Sequence, residues 1–478
     1  MRLPNRIMVA VSTVGLFALA AMAQEAPAGN TGRAIRLQTS APTPQAGHVY
    51  VPESSKARPE DAGLRSHTTY VLHSADGNKP GGLKMPTAEV LAGPAGTIEV
   101  SETPQSLGCI YVSSPSSAGC IPNYASGSGG PSAAGYGAIV LVDAYDNPNA
   151  ATDLQTFDSY WGLAAANFTK VYANGNGSCT TPPPDAGWSV ESSLDIEWAH
   201  VFAPNAAIVL VEACSNSNSD LYYAEQVAFN YIITNYPTTG GQVSNSWQGG
   251  EFSGQISDDS LFADFTYNFA TGYKTPILAF ASSGDFGLGV GYPSTNPWVV
   301  SAGGTSILRN ASNSKFSSES CWSGSGGGAS TVETYATAFT GGNTGPWADY
   351  QYPIFGKSNR VTPDLSFDAD PASGAWMYSQ YGLGGWGVVG GTSLSSPALA
   401  SIINRAGNKL GSVYLTPATS GSDWFNNEEN NLLYSQLGMA KAYKANFYDV
   451  KTGSNGSSAV ASWDYCTGVG SPRGLLGK

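Results

Sequence analysis

Charge is scarce in this chain. Asp, Glu, Lys and Arg supply 12% of it, about half of the ordinary share, and 35 acidic against 22 basic residues leave a net charge of −13. No basic stripe for a phosphate backbone exists, which excludes nucleic acid as a partner. Low charge also limits self-repulsion in acid, where carboxylates lose their charge and only the few Lys and Arg stay positive; this suits an acidic workplace. Histidine is scarcer still, at four residues: His48, His67 and His73 in the first hundred, and His200. Apolar runs of the ~18 residues that a membrane span requires are missing beyond the extreme N-terminus. Cys-x-x-Cys pairs and Cys/His clusters are missing as well, which argues against zinc.

What is present begins with Arg2 and Arg6, an apolar run over residues 7–20, and Ala21-Met22-Ala23 before Gln24. This is the layout of a secretory signal at 1–23, so the mature protein is expected to be secreted (extracellular or periplasmic) and without a membrane anchor. The six cysteines, an even set in an exported chain, favour disulfides. Pairing in chain order, Cys109–Cys120, Cys179–Cys214 and Cys321–Cys466, is the simplest of several possibilities.

Residues 24–105 are rich in Ala, Pro, Gly and Thr and read as a leader, a linker or a reduced pro-segment. From 106 to 478 short apolar runs alternate with helical stretches, the texture of an α/β domain whose mostly parallel, doubly wound sheet has helices on both faces. Residues 138–142, 207–211 and 277–281 are its clearest buried strands. No linker interrupts this region, so one large domain is expected.

Two passages carry chemistry. Gly390-Gly391-Thr392-Ser393-Leu394-Ser395-Ser396-Pro397 follows the apolar Trp386-Gly387-Val388-Val389 and sets a serine where a strand turns into a helix. Its hydroxyl then lies at a helix N-terminus, among N–H groups able to stabilise negative charge. Upstream, Ser189 can cap a helix carrying Glu191 and Asp195, four residues apart and therefore on one face. Two close carboxylates can share a proton, which yields a base and an acid that work at low pH. A solvated acidic face is the plainer alternative. Asp143, His200 and Ser393 do fall in the order of an Asp-His-Ser triad, but nine residues at 100° set His200 on the opposite side of the helix from Glu191. His200 is therefore expected to be structural or on the surface.

With these motifs the chain resembles the sedolisin family of serine-carboxyl peptidases. Further segments agree in order: Ser282-Ser283-Gly284-Asp285-Phe286-Gly287, then Tyr292-Pro293 through Gly303-Gly304-Thr305, then Arg360-Val361-Thr362-Pro363-Asp364-Leu365-Ser366. The resemblance implies a subtilisin-like fold, Ser393 as nucleophile, Glu191 as general base and Asp195 as its proton-sharing partner. It implies also that Asp285 is a protonated donor to the oxyanion, beside the N–H of Ser393. Ser-Gly-Asp-x-Gly is also ordinary turn chemistry. Substrate would lie extended along Ser244-Asn245-Ser246-Trp247 as an added strand, although Trp247 could equally serve the core.

The same resemblance implies one calcium ion near the C-terminus, held by Asp449, Asp464 and the carbonyls of Val450, Val460 and Ser462. The family has glycine at the last two of these carbonyl positions, and both aspartates could simply cap turns. Family members also carry a folded pro-domain, for which residues 24–105 look too short and too irregular. The expected function is a monomeric, acid-active endopeptidase acting on protein or peptide substrates. Alternatives are an exopeptidase releasing short peptides with the same site, or an inactive extracellular binding protein.

Overall fold

The runs rich in Val, Ile and Leu form adjacent parallel strands. In the computed structural model Ala138–Ala144 lies between Ala207–Ala213 and Gly241–Asn245, with Ala138 in register with both Ala207 and Gly241. Asn167–Ala173 continues the sheet on one side, and Ile277–Ser282 and Val299–Asn310 continue it on the other, all parallel. Phe316–Cys321 closes that edge antiparallel. The structure describes residues 49–58, 64–71, 97–98, 100–113, 119–130, 133–263, 275–334, 350–356, 359–407 and 428–478; the signal segment 1–23 lies outside them.

Successive strand residues point to opposite faces, and both faces are covered. Ile139, Leu141, Ile208, Leu210 and Phe280 pack with Leu194, Leu394 and Leu399 from two helices, Ala186–Phe202 and Thr392–Ala406. Val140, Val142, Val209 and Val211 face Leu221, Phe229 and Ile232 of Asn218–Asn235. A sheet dry on both sides can afford unbroken apolar strands, which is why these runs show no polar alternation. The two helices of the first face pack against each other, and this contact carries the site.

The cysteines pair in chain order, with Cα separations of 5.6, 5.7 and 5.9 Å. All described residues belong to one compact unit, including those of the leader. Thr97–Ile98 pairs with Val299–Asn310, and Thr69–Val71 pairs with Gly385–Gly390. Arg65–Ser66 pairs antiparallel with Trp247–Gln248. The described part of the leader is thus built into the sheets of the domain.

Candidate active site

The helix that bears the acids begins earlier than its sequence suggests. Asp185, not Ser189, is the N-cap, its carboxylate accepting the N–H of Trp188 at 2.9 Å. Ser189 sits in the first turn and donates to the Asp185 carbonyl. Both are good capping residues, and the preceding prolines 182–184, which cannot continue a helix hydrogen-bond ladder, bring the start forward to 185. The Glu191–Asp195 spacing survives this shift. Both carboxylates are fully buried, so the solvated-face alternative is excluded.

Ser393 stands at the start of Thr392–Ala406, after the strand Gly385–Gly390. Gly391 makes the turn at φ 112°, and a Cβ there would come within 2.0 Å of the His67 carbonyl oxygen and 2.6 Å of Asp285 Oδ2. Only glycine leaves room for both. Four residues on, Pro397 lacks the N–H that would bond the Ser393 carbonyl. The Ser246 hydroxyl reaches that carbonyl at 3.3 Å and Asp195 Oδ1 at 2.9 Å. Ser246 thereby ties the Ser393 helix to the acid helix.

Around Ser393 the groups converge. Its hydroxyl donates to the Ser246 carbonyl at 3.2 Å and lies near enough to Glu191 to draw that carboxyl's pKa down. Thr68 donates its hydroxyl to Glu191 Oε2. Burial dominates nonetheless and pushes Glu191 up to about 8, with the Asp285 carboxyl adding to the rise. Burial also lifts Asp195 well above the usual carboxylate range, helped by the charges of Asp143 and Glu191. Asp143 is lifted by burial and then by Glu191 and Glu212. Glu191 Oε1, Asp195 Oδ2 and both Asp143 oxygens have no hydrogen-bond partner among the described residues. Such a cluster must hold protons well above the pH at which an exposed carboxyl releases its own.

Asp285 approaches Ser393 from the loop after Ile277–Ser282. Its Oδ1 accepts the N–H of Thr392 at 2.8 Å and the Thr392 hydroxyl at 2.9 Å, whereas Oδ2 is buried without a partner. The four residues named from sequence therefore meet in one place. Asp143 joins them, although it is not among the site residues named from sequence. His200 is buried, bonded to the Ala164 carbonyl at 2.8 Å and 3.6 Å from Asp158 Oδ2; it is structural. Trp247 is a core residue, with Nε1 donating to the Val142 carbonyl. His67 reaches the site from the leader, where its position had set it aside: its N–H donates to Ser393 Oγ at 3.1 Å. No local signal marks it.

Near the C-terminus two of the proposed cation ligands, Asp449 and the Ser462 carbonyl, share one partner. The Tyr443 hydroxyl faces three oxygens, Asp449 Oδ1 at 3.2 Å, the Ser462 carbonyl at 2.8 Å and the Val469 carbonyl at 2.9 Å. Its single proton cannot serve all three. Ser462 adopts φ 77°, the glycine-like conformation. Asp464 accepts the N–H groups of Cys466, Thr467 and Val460, the turn-capping use. Two carboxylates and main-chain carbonyls in one loop are donors that fit a hard cation.

No family model matches the chain. Kumamolisin of Bacillus sp. (strain MN-32) is 29% identical over 361 residues, spanning 70% of this chain and 58% of kumamolisin. Sedolisin of Pseudomonas sp. (strain 101) is 25% identical over 351 residues, 67% of this chain and 53% of that protein. The chain thus spans about half the length of the curated relatives it matches. Among solved structures, Pseudomonas sedolisin, a serine-carboxyl proteinase complexed with two molecules of pseudo-iodotyrostatin, superposes with a TM-score of 0.54 at 25% identity, over 72% of this chain and 92% of that one. Fold, order of motifs and sequence similarity agree: the chain is similar to members of the sedolisin family and has their subtilisin-like α/β fold.

Proposed function

We propose that this protein is a secreted serine peptidase that hydrolyses peptide bonds in acid through a seryl acyl-enzyme. Ser393 attacks the scissile carbonyl; Glu191, as the one charged member of a cluster whose other carboxyls keep their protons, takes its proton; and Asp195 shares that proton and fixes Glu191. The tetrahedral oxyanion receives the N–H of Ser393 and a proton donated from Asp285 Oδ2. One observation carries this reading: Ser393 lies between a buried acid cluster and Asp285, and its N–H already holds a main-chain carbonyl, that of His67, at 3.1 Å. Asp285 must stay protonated to donate, which sets the working range on the acid side of neutrality.

Endopeptidase action is favoured over removal of terminal peptides. Leader residues run past Ser393 on both sides, Arg65–Ser66 along Trp247–Gln248 and Thr69–Val71 along Gly385–Gly390. A groove that holds chain in both directions suits internal bonds. The substrates would be proteins or peptides, and the enzyme a monomer. Digestion of a denatured protein from pH 3 to 7 tests the reading: activity should vanish in Ser393→Ala and Glu191→Gln. Hydrolysis that persists in both variants, or a rate maximum near pH 8, would refute it.

Calcium belongs to the same proposal as a structural ion. Asp449 and Asp464 would supply carboxylates, and Val450, Val460 and Ser462 carbonyls, so that the ion fixes the C-terminal loop without entering the chemistry.

A further inference from the structure

One buried carboxyl lines a cavity away from Ser393. Helix Ala150–Trp161 presents Ala151, Leu154, Gln155 and Asp158 along one face, at the spacings i, i+3, i+4 and i+7, and the chain returns past that face through Leu163 and Phe168. Between them lies a cavity of about 360 Å³, a volume typical of small-molecule sites. Leu154 and Asp158, 2% and 3% exposed, make its floor, and the half-buried Leu163 and Phe168 make its wall. His200, which approaches Asp158 from the acid helix, stands nine residues beyond Glu191, about 14 Å of helix rise. The cavity is therefore no part of the peptide cleft.

Asp158 has more acceptor capacity than the fold uses. Its carbonyl takes the N–H groups of Gly162 and Leu163, and its Oδ2 takes that of Ala166 at 3.3 Å, bonds that fasten the loop walling the cavity. Oδ1 is buried with no partner. Burial pushes this carboxyl up to about 7. Among the described residues its one basic neighbour is His200, with Nε2 at 3.6 Å from Oδ2. That nitrogen bonds the Ala164 carbonyl, and burial holds the imidazole below its ordinary pKa, so the ring is neutral at pH 7. Asp153 and Glu197 each bury another oxygen without a partner, and the charges of Asp153 and Asp158 add to the rise that burial causes at Glu197. A cation is what this end of the cavity lacks.

We propose that this cavity binds a protonated primary amine carried on an apolar body, with the ammonium donating to Asp158 Oδ1 and the body packed on Leu154, Leu163 and Phe168. The ammonium supplies the hydrogen that Oδ1 lacks and the positive charge that the neighbouring carboxyls leave uncompensated. Gln155 and Ser159 stand exposed at the mouth, where a polar remainder of the ligand keeps its water. Two groups in peptides carry this chemistry: an amino terminus on an apolar residue, and a lysine side chain on its butyl stem. Cleavage of a peptide bond always creates the first.

The test is calorimetric titration of the full chain, carrying Ser393→Ala, at pH 7. The probes are phenethylamine, its neutral twin phenethyl alcohol, leucine amide for an amino terminus and Nα-acetyl-lysine amide for a side chain. Phenethylamine should bind about tenfold or more tighter than the alcohol, because its hydrogen bond is charge-assisted. Asp158→Asn keeps an acceptor for the Ala166 N–H and should erase that advantage. Ala151→Phe, at an exposed position on the rim, puts a ring into the cavity and should abolish binding of every probe; it decides the matter if Asp158→Asn fails to fold. The amide that binds more tightly identifies the source of the amine. Equal affinity for amine and alcohol overturns the inference, as does amine binding unchanged in a folded Asp158→Asn or in Ala151→Phe, or no saturable binding of the amine at all. None of these readouts uses hydrolysis at Ser393, so the peptidase reading stands or falls separately.

Discussion

The main-chain carbonyl of His67 accepts the N–H of Ser393 at 3.1 Å. A helix N-terminus has such N–H groups to spare, and here the first turn of Thr392–Ala406 uses one of them at the reacting position. Thr392 meanwhile fixes Asp285 through Oδ1, which leaves Oδ2 beside the same carbonyl. On the proposed reading, the residue before the nucleophile therefore aims the second donor.

That division of labour gives the first prediction. Asp285→Ala should lower kcat by about 10²–10³ with a smaller change in KM, because the lost contact forms mainly in the transition state. Asp285→Asn keeps an N–H donor at that position, so part of kcat should return. Peptide kinetics from pH 3 to 8 decide the matter. A wild-type kcat in Asp285→Ala would remove the residue from the chemistry.

Buried acids should make stability fall with pH. Burial is the main cause that pushes Glu191, Glu212 and Glu225 up to about 8, Glu333 and Asp158 to about 7, and Asp153 to about 6. Below about pH 4 both folded and unfolded chains hold these protons. Between there and about 8 the unfolded chain releases protons that the folded chain keeps, so stability present in acid is lost as pH rises through that window. The Tm of Ser393→Ala, which by the proposed function cannot digest itself, should drop from pH 5 to pH 8, and Glu225→Gln should flatten the slope. A Tm that climbs across this range would contradict the burial of these groups.

Local chemistry made part of this legible. The strand-to-helix turn at Ser393, the spacing of Glu191 and Asp195 and the apolar runs at 138–142, 207–211 and 277–281 depend on near neighbours or on periods of two and 3.6. The path of the leader does not. His67 meets Ser393 across 326 residues through main-chain hydrogen bonds, which leave no trace in side-chain patterning. Asp143 was given no place in the site for a related reason: its acidic neighbours Glu191 and Glu212 come from a helix and from another strand.

The end of the leader should prove to be part of the core. Arg309 grips Glu102 through Nη2 at 2.5 Å and Nε at 2.6 Å, both side chains are fully buried, and Arg309 Nη1 also serves the carbonyls of Cys120 and Ser314. Removing one partner strands a charge, so Arg309→Met should cost about 3–5 kcal/mol in urea unfolding. Replacing Glu102 by Gln in the same chain should recover much of that loss. A cost below about 1 kcal/mol, the scale of an exposed pair, would mean that the pair is solvated.

Calcium and turn capping make different demands on Asp464. As a cap it needs only acceptor oxygens for the N–H groups of Val460, Cys466 and Thr467; as a ligand it also needs negative charge. Asp464→Asn retains one acceptor oxygen and loses the charge. An ion at about 100 times its dissociation constant stabilises a fold by about 2.7 kcal/mol, so dialysis of the wild type against a chelator should lower Tm by a few degrees and added calcium should restore it. Asp464→Asn should then ignore calcium and melt at or slightly below the chelated wild type, since the Oδ1 cap of Cys466 and Thr467 remains while the ion and the Oδ2 contact to Val460 are lost. A wild-type midpoint indifferent to chelator would assign Asp449 and Asp464 to capping alone, and the φ of Ser462 would then be explained by its N–H bond to Asp449 at 2.8 Å.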